Sequence, residues 1–301
     1  RITCGSNGNN IQYLVITRWN MQNKFARTDL AAEAASRLDT EPEGVRSDTL
    51  TLHGVSVSRV VIENETGAAA IGKPVGKYLT LEMEDYVTRR GVSFASCANA
   101  LADILRSFTA VENGGSFLVA CLGNRGVTPD AIGPCAADGI IVTRHLKTTL
   151  PEDFAAFSSV SVIRTGVLGT TGIESAQAIR SACSIVSPDC VIVIDALASG
   201  EMHRLCRNVQ LCDTGISPGS GVGNDRAAIN ADFLGCPVIA VGVPTVTDAS
   251  ALSSDPNAES LFVTPRNIDE LVRSVSKLIA YGVDLALHRG LTVEDVDMLV
   301  E

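Results

Sequence analysis

Ser116-Phe-Leu-Val-Ala-Cys-Leu-Gly123-Asn-Arg-Gly-Val-Thr-Pro-Asp130-Ala-Ile-Gly-Pro134 runs from an unbroken apolar segment into a turn that carries an aspartate. A short run of apolar and aromatic residues with no alternating polar face fits a strand buried on both sides, as in a parallel sheet. Val191-Ile-Val-Ile-Asp195-Ala-Leu-Ala198 repeats the arrangement, an apolar strand that meets an aspartate. Around these two stretches the pattern alternates: strand 116–122, a helix over about 130–146, strand 160–164, helix 175–186, strand 190–195, strand 208–212 and strand 237–242. That order predicts a three-layer α/β fold, a largely parallel sheet with helices on both faces. Ligands bind beyond the carboxyl ends of the strands in such sheets, so Asp130 and Asp195 are expected to share one site. Two carboxylates can divide labour there, one as general base toward water and one as acid toward a leaving group. Thr-Pro-Asp is also good helix-start chemistry, and a capping role for Asp130 stands beside the catalytic one.

Upstream of this core, residues 48–63 alternate as a hairpin broken at Gly54, and Lys77 to Met83 reads as a further strand. Ala26 to Arg37 reads as a helix with Asp29 at its start, and apolar spacing predicts another over 93–111. Two more are expected at 267–281 and 292–300. Residues 1–20 carry neither helical nor strand periodicity, and Met21 looks like a natural beginning, so 1–20 read as an upstream extension.

The chain has 301 residues, 46% hydrophobic and 19% charged, which describes a globular protein with a substantial core. A net charge of -10 with no Lys/Arg run argues against direct nucleic-acid binding. No stretch is apolar for long enough to span a bilayer and no signal-peptide pattern is present, so a soluble intracellular location is expected, with no membrane partner. The nine cysteines are scattered, without a C-x-x-C pair or a histidine at zinc-ligand spacing, and most are expected to be reduced, buried hydrophobes. Cys121 and Cys135 flank the first motif, but neither has a histidine nearby in sequence to activate it.

Two loops have the composition of ligand-contacting segments. Gly166-Val-Leu-Gly169-Thr-Thr171-Gly172-Ile-Glu174 lies between a strand and a helix, where backbone N–H groups can meet an anion or oxyanion. Its spacing is neither a P-loop nor a dinucleotide fingerprint, and no cofactor is expected. Asp213-Thr-Gly-Ile-Ser217-Pro-Gly219-Ser220-Gly221-Val-Gly-Asn224 has too many glycines to build a core and suits a substrate-side loop. Ser220 lacks the strand-to-helix elbow of a serine hydrolase. The residues singled out for substrate are Gly169, Thr171, Gly172, Glu174, Asp213, Ser217, Gly219, Ser220 and Gly221.

Several long motifs in one order give a more specific signal. Arg27-Thr-Asp-Leu-Ala31, Gly76-Lys-Tyr-Leu-Thr-Leu-Glu82, the Gly123 to Pro134 stretch, Val142-Thr-Arg-His-Leu146, Gly169 to Glu174, Ile194-Asp-Ala-Leu-Ala198, Asp213 to Asn224 and Pro237-Val-Ile-Ala-Val-Gly-Val-Pro-Thr245 together resemble the germination protease of spore-forming Firmicutes. The likeness runs from about residue 26 to the C-terminus. It implies an atypical aspartic endopeptidase, related in fold to hydrogenase-maturation proteases, that digests small acid-soluble spore proteins in the spore core during germination. It also implies that Asp130 and Asp195 are the essential pair and that the protein assembles as a homotetramer. A zymogen that removes its own N-terminal segment would be cut at Asp29-Leu30, leaving 30–301 as a single α/β peptidase domain. The polar insertion usual in the family between Asp248 and Val263 is short here. Competing readings are a metal-dependent maturation-type protease, with His145 or Glu174 joining the two aspartates as ligands, and an inactive relative that only binds spore proteins.

Overall fold

The computed structural model describes residues 27–83, 85, 87, 93–109, 114–219, 226–252 and 261–300. Ser220, Gly221 and residues 1–26 lie outside them, as does most of the shortened connection after Asp248. In chain order the elements are α1 (Ala31–Ser36), β1 (Val45–Leu52), β2 (Val55–Ile62), α2 (Glu65–Ile71), β3 (Gly76–Glu82), α3 (Ser93–Phe108), β4 (Ser116–Leu122), α4 (Ile132–Ala136), α5 (Arg144–Thr149), β5 (Ser159–Gly166), α6 (Leu168–Thr171), α7 (Ser175–Val186), β6 (Cys190–Ala198), β7 (Asn208–Cys212), α8 (Ala231–Leu234), β8 (Val238–Asp248), β9 (Phe262–Val263), α9 (Ile268–Leu287) and α10 (Val293–Val300).

The strands form one mixed sheet in the order β1-β2-β3-β7-β8-β6-β4-β5, with β9 added to the end of β8. Neighbours from β8 through β6 and β4 to β5 are parallel. From β8 through β7, β3 and β2 to β1 every pairing is antiparallel. The N-terminal hairpin is present: Leu52 pairs Val55 across a two-residue turn. Both turn residues, His53 and Gly54, have positive φ, which matches the twist of a tight hairpin.

Alternation along the central strands explains why they read as continuously apolar. Val119 and Cys121 of β4 and Ile192 and Ile194 of β6 face a core shared with α3, α4 and α9. Leu118, Ala120, Leu122, Val191 and Val193 face the other side, under Ala176 and Ile179 of α7. Both faces are covered, so no polar face is needed. Asp195 shares its parity with Val191 and Val193 and belongs to the α7 side. A third cluster, built from Ala31, Val45, Val60, Ile62 and Tyr78, seats α1 on the hairpin end of the sheet.

Some boundaries differ from the sequence reading. The helix expected over about 130–146 is broken into a 3₁₀ turn at Thr128–Asp130, then α4, then α5. Between α4 and α5 the backbone is claimed from outside: Asp284 of α9 accepts the Ile141 N–H at 2.9 Å, and the Val160 carbonyl accepts the Thr143 N–H at 3.1 Å, while Thr143 Oγ1 donates to the Ser158 carbonyl and accepts the Val160 N–H. Asp29 does not start a helix; α1 begins two residues later, and the Asp29 carboxylate reaches across to β6. Strand β6 runs three residues beyond Asp195 because β8 continues beside it as far as Val246.

Candidate active site

The register of β4 on β6 pairs Cys121 with Ile194, so β4 ends at Leu122, level with Asp195, while β6 goes on. The departing chain turns back at once. Asn124 N–H donates to both the Asp130 carbonyl and Asp130 Oδ2, each at 2.9 Å. Asp130 N–H donates to the Val127 carbonyl at 2.8 Å, which closes the 3₁₀ turn. Gly123 makes this possible. Its φ is +105°, and a Cβ there would stand 2.1 Å from the Asp130 carbonyl oxygen. The Asp130 carboxylate accepts from a residue upstream and not from the N–H groups of α4, so it does not cap that helix.

Asp130 and Asp195 line one cavity of about 700 Å³. Asp195 is 5% exposed, and its Oδ1 accepts only the Ala196 N–H, at 2.9 Å, among the described residues. Burial first, and the negative charge of Asp130 second, push its carboxyl up to about 8. Asp130 is less enclosed; burial raises it from the ordinary carboxylate value, against the pull of the Asn124 N–H and of Arg226. Both carboxyls are thus raised, and the more deeply buried Asp195 is raised the further. Arg226 lines the same cavity and its charge reaches both.

A stretch of the chain's own N-terminal region already occupies this cleft in extended form. Asp29 N–H donates to the Ala198 carbonyl at 2.9 Å, and the Ala198 N–H donates to Asp29 Oδ2 at 2.9 Å. Gln210 of β7 completes the grip, donating through Nε2 to the Asp29 carbonyl at 3.1 Å and accepting the Ala31 N–H at 2.7 Å. Lys73 Nζ donates to the Thr28 carbonyl at 3.0 Å and lies 3.9 Å from Asp29 Oδ1. Leu30 is fully buried, and beyond it Glu33 accepts from Ser199 Oγ at 2.6 Å and the Gly200 N–H at 2.9 Å, just past the end of β6. Asp29 lines the same cavity as Asp130 and Asp195, and its charge contributes to the raised pKa of Asp195.

Of the loop residues singled out from sequence, Ser217 and Gly219 line the cavity. Gly169, Thr171, Gly172 and Glu174 do not; Thr171 Oγ1 instead braces its own turn, on the Val167 and Ile173 carbonyls. Asp213 accepts the Lys77 N–H at 2.8 Å and holds β3 to the end of β7, outside the cavity lining. His145 is exposed on α5 and does not line the cavity. Among the described residues no group of three or more His, Cys, Asp or Glu side chains comes together in a metal-holding arrangement. Cys121 is fully buried and pushed up to about 12, which makes it inert, and Cys135 is also raised by burial. Arg226, Lys73 and Gln210 were not legible as site residues: each is a single polar residue whose partner is distant in sequence.

An open α/β sheet with two carboxylates lining the cavity where its strands diverge, and an extended peptide bonded to the β6 backbone at that cavity's wall, has the form of a peptide-binding cleft. A family model described as germination protease matches residues 24–258. Germination protease from Clostridium perfringens is 37% identical over 90% of this chain and 98% of its own length. That of Caldanaerobacter subterraneus subsp. tengcongensis is 38% identical over 91% of this chain and 98% of its own. The Priestia megaterium enzyme is 39% identical over 90% of this chain and 76% of its own. The chain belongs to the germination protease family, and is a peptidase. Among solved structures, the [NiFe] hydrogenase maturation protease HycI of Thermococcus kodakarensis aligns with a TM-score of 0.37 and 16% identity, covering 60% of this chain and 98% of that one. No helix among the described residues is long and apolar enough to cross a membrane.

Proposed function

We propose that this peptidase begins the breakdown of small acid-soluble spore proteins during germination, in the spore core, and that it works by an aspartate pair. Family membership supports the substrate; the two aspartates lining one cleft, with Asp195 the more deeply buried and its carboxyl raised to about 8, are the observation that supports the mechanism. Asp130 takes a proton from the attacking water. Asp195 donates its proton to the carbonyl oxygen as water adds, giving a diol; as the C–N bond breaks, Asp130 passes the water's proton to the leaving nitrogen and Asp195 takes a proton back from a diol hydroxyl. The Arg226 charge draws both carboxyls down, against the burial that raises them. Activity is expected to fall above about pH 8 as Asp195 loses its proton, and to fall in acid as Asp130 gains one.

The decisive assay incubates the purified chain with an α/β-type small acid-soluble spore protein in the presence of a chelator and follows both by intact mass. Cleavage under those conditions is the expected result. Cleavage that waits for an added divalent ion would replace the aspartate mechanism with a metal-dependent one, and none under any condition would leave a binding protein. The same reading makes the protein a homotetramer, which sedimentation of the same sample checks.

The zymogen reading is supported by the peptide held at Asp29 and Leu30, with residues through Asp29 as the propeptide and the rest as one peptidase domain. Lys73 is the cation that meets the Asp29 carboxylate. Lys73→Met is expected to slow self-cleavage after Asp29 by about tenfold or more, the scale of a lost charge-assisted contact in a desolvated cleft. A mass time course checks it; a rate within twofold of the parent would remove Lys73 from the role.

A further inference from the structure

A single side chain holds the Asp29-Leu30 peptide from both sides. Gln210 of β7, 6% exposed, donates through Nε2 to the Asp29 carbonyl oxygen at 3.1 Å and accepts the Ala31 N–H through Oε1 at 2.7 Å. The backbone fixes which way this amide points. An N–H can only donate and a carbonyl can only accept, so Oε1 faces Ala31 and Nε2 faces Asp29. The oxygen that receives Nε2 belongs to the peptide bond that self-cleavage after Asp29 breaks.

The sheet register explains how an acid and an amide donor come to face the same peptide. Gly242 of β8 is level with Asp195 of β6 on one side and with Gln210 of β7 on the other. Residues level with one another on neighbouring strands point to the same face of a sheet, so Asp195, Gly242 and Gln210 form one row. All three line the cavity. Because the middle member is a glycine, no side chain stands between carboxylate and amide across two strand spacings, about 10 Å. Asp29 spans this gap: its N–H donates to the Ala198 carbonyl on β6 and its carbonyl accepts from Gln210 on β7, with β8 running between the two.

We propose that Gln210 is a catalytic residue of this peptidase, the donor that meets the oxygen of the scissile carbonyl as it becomes an oxyanion. The inference rests on the reading of Asp29-Leu30 as the self-cleavage bond. As water adds to the carbonyl carbon, negative charge gathers on the oxygen, and a donor already in place strengthens its hydrogen bond without reorganising. A carbonyl oxygen has two lone pairs, so Gln210 holds one while the Asp195 proton is delivered to the other. Gln210 itself gives up no proton and forms no covalent bond. Its Oε1 fixes the chain on the leaving side, two residues past Asp29, and keeps the peptide from turning away. Both partners of the amide are backbone groups, so the same grip serves an extended segment of a protein substrate whatever its side chains.

The test uses the purified full-length chain with two variants. Gln210→Met keeps the reach of the side chain and removes both hydrogen bonds; Gln210→Asn keeps an amide but withdraws it by one methylene. Each is followed by intact mass for self-cleavage and assayed for kcat and KM on an α/β-type small acid-soluble spore protein, with thermal denaturation as the check on folding. The parent is expected to cut itself between Asp29 and Leu30. In both variants kcat is expected to fall by about a hundredfold to a thousandfold, with KM within about threefold of the parent and self-cleavage slowed on the same scale. Should Gln210→Met fail to fold, Gln210→Asn decides. The proposal is overturned if the folded variants keep kcat within about threefold of the parent, or if the loss falls in KM alone, which marks ordinary substrate binding. A parent that cuts itself elsewhere, or not at all, removes the self-cleavage reading and this proposal with it. A parent that cuts at Asp29-Leu30, with variants that cut as fast, overturns the role of Gln210 alone.

Discussion

Asp195→Asn is expected to abolish peptide-bond cleavage and, at neutral pH, to make the chain more stable. Cleavage falls because the asparagine amide has no acidic proton to give, a loss of about a thousandfold on the scale of general acid catalysis. Stability rises for a separate reason. The Asp195 carboxyl titrates at about 8 in the folded chain, against an ordinary value of 3.8. The folded form thus holds a proton that the unfolded form has released. The contribution of that proton is complete below the ordinary value and is lost progressively as pH rises toward the folded one. Asparagine does not titrate, so the variant escapes this loss. Its advantage over the parent grows between about pH 4 and pH 8 and reaches on the order of a few kcal/mol near neutrality. Urea denaturation of both proteins at several pH values, alongside a cleavage assay, checks the pair of effects. Retained cleavage would sink the catalytic role of Asp195, and an advantage that stayed constant over that range would show that the carboxyl is not the buried acid described.

Gly133→Ala should be strongly damaging for so small a substitution. Gly133 lies in α4, where the helix start docks on the ends of β4 and β6. A Cβ there would stand 2.2 Å from the Leu122 carbonyl oxygen, 2.7 Å from the Leu122 nitrogen and 2.8 Å from the Ile194 carbonyl oxygen. All three are backbone atoms of strands at the centre of the sheet, so nothing nearby can rotate away. The helix start must lift, and with it the turn that sets Asp130 beside Asp195. A loss of about 3 kcal/mol or more is expected, at the upper end of overpacking penalties, with cleavage lost as well. Gly169→Ala is the control. Nothing lies within 4 Å of its added Cβ, and a denaturation midpoint close to that of the parent is expected. Equal midpoints for Gly133→Ala and the parent would mean that α4 does not dock as closely as its backbone indicates.

Both effects trace to one design, in which a strand that stops beside a strand that continues opens the cleft and a glycine-dependent turn fills it with the second carboxylate. The raised pKa of Asp195 and the close approach at Gly133 are local costs of that arrangement. The large apolar core shared by α3, α4 and α9 offsets them.

The sequence by itself determined the strands that are buried on both faces, the two aspartates and their shared location, and the N-terminal hairpin, because apolar runs, strict alternation and turn residues are local signals that tertiary packing does not reverse. It placed β7 within its bounds but could not say that β7 runs antiparallel to β8, since direction is set by how the chain crosses the sheet. It read one helix over about 130–146 where there are a 3₁₀ turn and two short helices, because the Asp284 carboxylate takes the Ile141 N–H and the Val160 carbonyl takes the Thr143 N–H. It put Asp29 at a helix start, whereas the β6 backbone at Ala198 captures that carboxylate. Which aspartate keeps the proton was likewise beyond it. Only the folded chain decides that, because the difference between Asp130 and Asp195 is one of burial and of neighbouring charge, and the neighbouring charges of Asp29 and Arg226 arrive from elsewhere in the sequence.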